Sequence, residues 1–210
     1  LRWPVSIPVQ TSFGIMLDRP AVFVRVQDAS GHVGWGEIWC NFPACGAEHR
    51  ARLLQTVVSP IIQNKEFASP QDAFNEMQNR TDVLAIQSGE LGPISQVIAG
   101  VDLAIWGMLA RKAELPLWKF LGGKSDRIYV YASGINPSNP EQAVLKKYAQ
   151  GYRAFKLKVG FGSEKDLANL IAMRECLPTS IDLMADANQA WPVDEALAMM
   201  EKLKPFVKVE

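Results

Sequence analysis

Two lysines alternate with apolar residues in the stretch FKLKVG, residues 155–160. In a β-strand, side chains alternate between the two faces, so Lys156 and Lys158 would point to the same side. Neighbouring ammonium groups repel each other, so either that side faces water or a reaction needs both lysines. A lysine acts as a base near neutral pH only when its pKa falls from ~10.4 towards ~7. A neighbouring ammonium and partial burial both lower a lysine pKa.

A second polar motif, DANQAW at residues 186–191, contains Asp186 and Asn188. A carboxylate suits a hard cation such as magnesium, which takes oxygen ligands. Two lysines with a carboxylate and a carboxamide would together suit removal of a proton next to a substrate carboxylate, with the cation stabilising the enediolate. Simpler interpretations stay open, because a K-x-K pattern often marks a solvated strand face and Asp186 could cap the next helix.

The chain after Arg127 alternates between strand-like and helix-like segments. We predict strands near residues 128–132, 154–159 and 182–186, a helix capped by Asn139 and a fourth strand in FVKVE, residues 206–210. Such alternation requires a parallel sheet with right-handed crossovers. Functional residues of parallel β/α arrays lie at the carboxyl ends of strands, which are ~4.8 Å apart. The residues of both motifs should therefore lie close together at the carboxyl-end edge of the sheet.

The earlier part of the chain has a different pattern, with antiparallel strands followed by helices. A strand is predicted at Ala21–Asp28 and resumes at Val33 after a glycine-containing turn. Helices are predicted from about Glu48, after the cap Ser69, and over Pro93–Lys112, where apolar residues recur at three and four. We predict an α+β domain with a three-stranded antiparallel sheet and a helical bundle over residues 1–125, followed by a second domain over 126–210.

The composition excludes several classes of function. The 210 residues carry no formal net charge, which argues against a nucleic-acid or membrane-surface partner. We expect no apolar run long enough to span a bilayer. The three cysteines are an odd number without metal-ligand spacing, so we expect reduced thiols and a cytoplasmic protein.

Four segments together resemble the mandelate racemase/muconate lactonizing branch of the enolase superfamily. They are GHVGWGE, AGVDLAIWGMLARKAELPLWKFLGG, FKLKVGFG and DANQAW, and the last two are the most specific. The separation of 28 residues between Lys158 and Asp186 also fits that family. The resemblance implies an α+β cap domain followed by the first part of a (β/α) TIM-type barrel, in a lyase or isomerase that uses Mg²⁺.

The resemblance also implies roles for individual residues. Lys158 would exchange the α-proton as base or acid, and Lys156 would lower its pKa and approach the substrate carboxylate. Asp186 would be the first Mg²⁺ ligand, and Asn188 would contact the substrate or orient the metal site. Loops near Phe13–Met16 and Asn41–Cys45 would close over a small carboxylate substrate. A homo-oligomer is expected.

The sequence departs from the family pattern in three ways, of which the first has no expected catalytic consequence. Gly107 stands where the family usually has Asp, and the chain begins inside the expected first strand. The chain also ends at Glu210, before the remaining carboxylate ligands and the opposite-face catalyst. We therefore expect a truncated barrel that is inactive by itself and binds magnesium weakly. Glu210 has the strand parity to point inward, so a register shift could make it the second metal ligand.

Acid-sugar dehydration is the favoured reaction, because the segment KLKVGFG and the polar loop Asn41–His49 suit a hydroxylated substrate. Racemisation, epimerisation or cycloisomerisation would use the same enolisation and stays an alternative. A non-catalytic binding protein that has kept the fold is the alternative of a different class.

Overall fold

A computed structural model describes residues 1–11 and 14–207. The chain divides into two compact units. The first comprises Leu1–Ser6 and Asp18–Asp126, and the second comprises Ile7–Leu17 and Arg127–Glu210. The domain boundary near residue 125 stays a prediction. Among the expected site residues, Phe13 and Glu210 lie outside the described residues.

Four strands open the chain as two separate pairs. β1 (Arg2–Thr11) pairs with β2 (Gly14–Pro20), and β3 (Val22–Gln27) pairs antiparallel with β4 (Val33–Ile38). The expected three-stranded sheet is therefore wrong for the described strands. Pro20 cannot donate a ladder hydrogen bond, and Ala21 next to it exchanges two backbone hydrogen bonds with Leu1. Ala21 lies between β2 and β3 and belongs to neither strand.

Helices fill most of the rest of the first unit. They are α1 (Gly46–Leu53), a π-helical segment (Leu54–Val58), α2 (Ser59–Ile62), α3 (Pro70–Ser88), α4 (Leu91–Lys112) and α5 (Leu117–Phe120). The predicted cap of α3 is confirmed, because the Ser69 side chain accepts a hydrogen bond from the Asp72 backbone N–H. The predicted starts of α1 and α4 are each two residues late.

The core of the first unit lies between α4 and the β3–β4 sheet. The predicted apolar face of α4 is confirmed by its buried residues, which include Ile94, Val97, Ile98, Val101, Ala104 and Met108. The helix approaches the sheet so closely that a Cβ on Gly36 would lie 1.9 Å from the Gly100 carbonyl oxygen. Among the described residues, α4 alone is long and apolar enough to cross a membrane, contrary to the sequence-based expectation. Its buried face explains that composition.

The second unit contains a three-stranded parallel sheet in the order β5-β6-β7. Its elements are β5 (Ala132–Ile135), α6 (Pro140–Ala149), β6 (Ala154–Lys158), α7 (Ser163–Cys176), β7 (Asp182–Asp186) and α8 (Val193–Leu203). Helices alternate with the parallel strands, which confirms the expected start of a (β/α) barrel. The buried residues Phe155, Leu157, Leu170 and Leu183 form part of its core.

The structure differs in detail from three local predictions for this unit. The first strand starts at Ala132, whereas Ile128 and Tyr129 are 84% and 74% exposed. Their β-branched and aromatic types favour a strand, but the described residues provide no partner strand for them. Asn139 is the N-cap residue of α6, as predicted, but its side chain makes no capping hydrogen bond. Phe206 and Val207 form a turn and a bend after α8, so the predicted fourth strand does not start there.

Candidate active site

The two lysines lie at the carboxyl end of β6. Phe155 and Leu157 point into the core and are fully buried, so Lys156 and Lys158 share the opposite face. The parallel register with β7 aligns Lys158 with Asp186. The strand period and the register therefore bring two cations to the place where β7 presents its carboxylate.

The four predicted site residues come together at this place. Lys156 Nζ is 3.0 Å and Lys158 Nζ is 3.7 Å from Asp186 Oδ2. Lys158 Nζ also donates a hydrogen bond to Asn188 Oδ1. The lysine side chains are 21% and 22% exposed and that of Asp186 is 28% exposed. A solvated strand face would leave the lysines far more exposed, so that simpler interpretation does not fit.

The electrostatics of this cluster couple Lys156 to Asp186. Burial lowers the pKa of Lys156, but hydrogen bonds to Asp186 and Tyr131 outweigh it, so the pKa lies above its usual value. Burial raises the pKa of Asp186, but hydrogen bonds from the Asn188 backbone and from Lys156 outweigh it, and the net pKa is lowered. Lys156 is therefore cationic and Asp186 anionic at neutral pH.

The loop after β7 fixes the orientation of Asp186. The Asn188 backbone N–H donates to Asp186 Oδ1 at 2.9 Å, and the Val159 N–H donates to the Asp186 carbonyl oxygen at 3.1 Å. Asn188 has a φ of 48°, a left-handed conformation that asparagine tolerates better than most residues. The next helix begins at Val193 with Pro192 as its N-cap, so Asp186 is not a helix cap.

Tyr131 is a member of this cluster that the sequence analysis does not identify. Lys156 Nζ donates to its hydroxyl oxygen at 3.2 Å and lies 5.1 Å from the centre of its ring. The residue lies immediately before β5, in the segment predicted as a strand. Its aromatic type alone predicts a strand residue, and only the neighbouring position of β5 and β6 reveals the contact.

A magnesium ion needs several oxygen ligands. Within residues 1–11 and 14–207, no group of three or more His, Cys, Asp or Glu side chains could hold a metal ion. Asp186 supplies one carboxylate, and its Oδ2 is shared by two ammonium groups. The described residues thus fit a part of a magnesium site and not a complete one.

One of the loops expected to cover a substrate, Asn41–Cys45, contains one of the three cysteines. Cys40, Cys45 and Cys176 are free thiols in this structure, and their reduced state in the cell stays a prediction. The loop Asn41–Cys45 directly precedes α1. Closure of this loop and of the segment near Phe13–Met16 over a substrate stays a prediction.

Comparison with known families identifies two matching domains. The family "Mandelate racemase / muconate lactonizing enzyme, N-terminal domain" matches residues 1–122, and "Enolase C-terminal domain-like" matches residues 141–210. The first match alone covers more than half of the chain.

Curated relatives in this family catalyse different reactions. The 3,6-anhydro-alpha-L-galactonate cycloisomerase of Streptomyces coelicolor is 31% identical over 93% of this chain and 54% of its own length. The hydrophobic dipeptide epimerase of Enterococcus faecalis is 34% identical over 93% of this chain and 53% of its own length. Dehydratases are also among the relatives. The chain spans about half the length of the curated relatives it matches.

Solved structures of similar proteins have the same fold. A mandelate racemase/muconate lactonizing enzyme from Bordetella bronchiseptica RB50 is 57% identical, with a TM-score of 0.85 over 90% of this chain and 52% of that one. A racemase from Streptomyces coelicolor A3(2), crystallised with bound magnesium, is 29% identical, with a TM-score of 0.86 over 98% of this chain and 57% of that one.

Proposed function

Because the chain belongs to the mandelate racemase/muconate lactonizing enzyme family of the enolase superfamily, we propose that the whole protein removes the proton next to a substrate carboxylate. The reaction would pass through an enediolate. The observation that carries the proposal is the convergence of Lys156 and Lys158 on Asp186 Oδ2. Two lysines at the end of one strand can supply a base, through the lysine that loses its proton, and a positive charge for a developing anion, through the other.

Each residue has a distinct role in this proposal. Lys158 takes the α-proton on its Nζ, while the Asn188 amide oxygen that accepts its hydrogen bond orients it. Lys156 stays cationic, as its raised pKa requires, and binds the substrate carboxylate. Asp186, an anion at neutral pH, would be one ligand of Mg²⁺. Magnesium, when bound, would stabilise the negative charge of the enediolate.

Within the family we propose acid-sugar dehydration as the overall reaction. The support is the polar loop Asn41–His49, together with relatives that include a cycloisomerase of an anhydro-sugar acid and an arabinonate dehydratase. Epimerisation is the second candidate, because a dipeptide epimerase is 34% identical to this chain. Both reactions begin with the same proton removal, so the site residues serve either one. We also propose a cytoplasmic homo-oligomer, from the free thiols and the family resemblance.

The experiment that tests the proposal is solvent exchange of the α-proton. The whole protein is incubated in deuterated water with Mg²⁺ and a panel of acid sugars and dipeptides, and deuterium uptake is followed by NMR. Exchange with an acid sugar and loss of water from it would support dehydration, whereas exchange without loss of water would indicate epimerisation. Absence of exchange across the panel would leave a binding protein as the better interpretation.

The proposed metal ligand has its own test. Asp186→Asn should weaken Mg²⁺ binding at least about 10-fold, because an amide oxygen carries no negative charge to replace the carboxylate. Asp194→Asn is a matched control, since Asp194 is exposed in the first turn of α8. Calorimetric titration of the whole protein with Mg²⁺ measures both variants. Equal affinities for the two variants would contradict the assignment of Asp186.

A further inference from the structure

Asp166 is the one buried carboxylate in the part of the chain that the structure describes. It lies in the first turn of α7 and is 1% exposed. Burying a carboxylate has a large free-energy cost unless hydrogen bonds or charges compensate for it. An acidic residue near a helix N-terminus is common in sequences, which is why the sequence pattern does not distinguish Asp166 from its exposed neighbour Glu164.

The carboxylate of Asp166 compensates for its burial by binding the loop that follows β6. Its Oδ2 accepts hydrogen bonds from the Gly160 N–H at 2.8 Å and from the Phe161 N–H at 3.2 Å. Gly160 has a φ of 94°, a left-handed conformation that glycine adopts without strain. The carboxylate thus holds two consecutive amides of a loop whose backbone takes an unusual path.

These amides belong to the residues that come almost directly after Lys158. The intervening Val159 N–H donates to the Asp186 carbonyl oxygen at 3.1 Å. Each of the three backbone N–H groups after Lys158 is therefore bound, one by β7 and two by Asp166. The carboxyl end of β6 is held from two directions, by the neighbouring strand and by the following helix.

We propose that Asp166 is a positioning residue for Lys158, which holds the β6–α7 loop so that the lysine Nζ stays at the place of proton removal. The inference rests on the proposed function, because Lys158 is the base there. Asp166 does not itself touch the substrate. A displacement of about 1 Å at a reacting group can lower a rate about 100-fold. Without Asp166, two amides of the loop would lose the acceptor that they have in the structure.

The test compares Asp166→Ala and Asp166→Asn with Glu164→Ala in the whole protein supplied with Mg²⁺. In Asp166→Ala, kcat for α-proton exchange should fall about 10- to 100-fold. KM should change less than about 3-fold, since the carboxylate-binding Lys156 precedes the loop. Asp166→Asn keeps one acceptor oxygen and should recover part of the rate. It also serves as the folded variant if alanine unfolds the protein. Glu164→Ala should match the wild type.

A second measurement follows the backbone amides of the β6–α7 loop and does not depend on enzyme activity. Hydrogen exchange of the Gly160 and Phe161 amides should accelerate in Asp166→Ala and not in Glu164→Ala. Faster amide exchange with an unchanged kcat would overturn the positioning role and leave a purely structural one, and unchanged amide exchange would overturn the loop contact itself. A wild type that exchanges no α-proton rejects the proposed function, whereas an active wild type with an equally active Asp166→Ala rejects this inference alone.

Discussion

Each unit of the molecule contains a polar cluster, and the two clusters differ in how completely they are enclosed. In the first unit Arg50 is 4% exposed and donates twice to Gln96 Oε1, at 3.0 and 2.9 Å. Its Nη1 also lies 3.3 Å from His49 Nδ1. In the second unit the side chains of Lys156 and Lys158 keep about a fifth of their surface exposed.

This difference in exposure indicates how much free energy it would cost to break the contacts of each cluster. Arg50 is buried and donates to Gln96, so removing the Gln96 side chain would take an acceptor from a buried guanidinium. In the lysine cluster two ammonium groups share one oxygen of Asp186, and solvent reaches all three side chains. Contacts between partly exposed charges cost less free energy to break than those of a fully buried group. Enclosure therefore favours a structural role for Arg50, and exposure favours a functional role for the lysines.

Lys158→Ala should have the largest effect and should separate the two clusters most clearly. Exchange of the substrate α-proton should fall about 10²- to 10⁴-fold, because the proposed base is gone. Lys158→Arg should lose nearly as much activity, because a guanidinium does not deprotonate in the working pH range. Deuterium incorporation measures the rate and thermal unfolding checks the fold. Near-normal exchange in Lys158→Ala would mean that the lysine cluster, like that of Arg50, is only structural.

Arg50→Ala should have its effect on stability instead. The free energy of unfolding should fall by about 2–4 kcal/mol, because buried packing is lost and Gln96 loses its donors. Urea titration measures this loss, and the exchange rate per folded molecule should not change. Arg52→Ala is a matched control on the same helix, where the exposed side chain should contribute less than about 0.5 kcal/mol. Equal stabilities of both variants would contradict the enclosed character of the Arg50 cluster.

Lys156→Met should have the smallest effect on stability, and the effect should depend on pH. The raised pKa of Lys156 means that its contribution is present below its ordinary value of 10.5 and is lost as pH rises through the raised value. The lowered pKa of Asp186 means that its contribution is present above 3.8 and is lost as pH falls through the lowered value.

The variant should therefore be less stable than the wild type by only about 0.5–1 kcal/mol, since the pair is partly exposed. This gap should stay constant across neutral pH and should close in acid and in strong base. Urea titrations at several pH values measure it. Lys119→Met provides the control, because Lys119 is exposed and lies in α5, distant in sequence from Lys156. A gap that persists after the pH has fallen through the lowered pKa of Asp186 would contradict the pairing between the two side chains.

Much of the second unit was predictable because its signals are local. Alternation of strand and helix segments requires parallel strands, and the period of two places Lys156 and Lys158 on one face. The start of β5 was not predictable in this way. Tyr129 and Tyr131 are of strand-favouring types, yet Tyr131 contacts Lys156 from outside the strand. Residue type describes a preference for extended backbone, and a strand also needs a partner at the right position.

By itself, the sequence determined the helical face of α4, the cap Ser69 and the shared side of the two lysines. Each of these follows from the fixed geometry of a few consecutive residues. Only the tertiary structure decided that Asp186 Oδ2 lies between both ammonium groups, and that the buried Asp166 binds the loop after Lys158. Those contacts depend on the register between β6 and β7 and on how α7 packs against the sheet, and no local pattern in the chain specifies either.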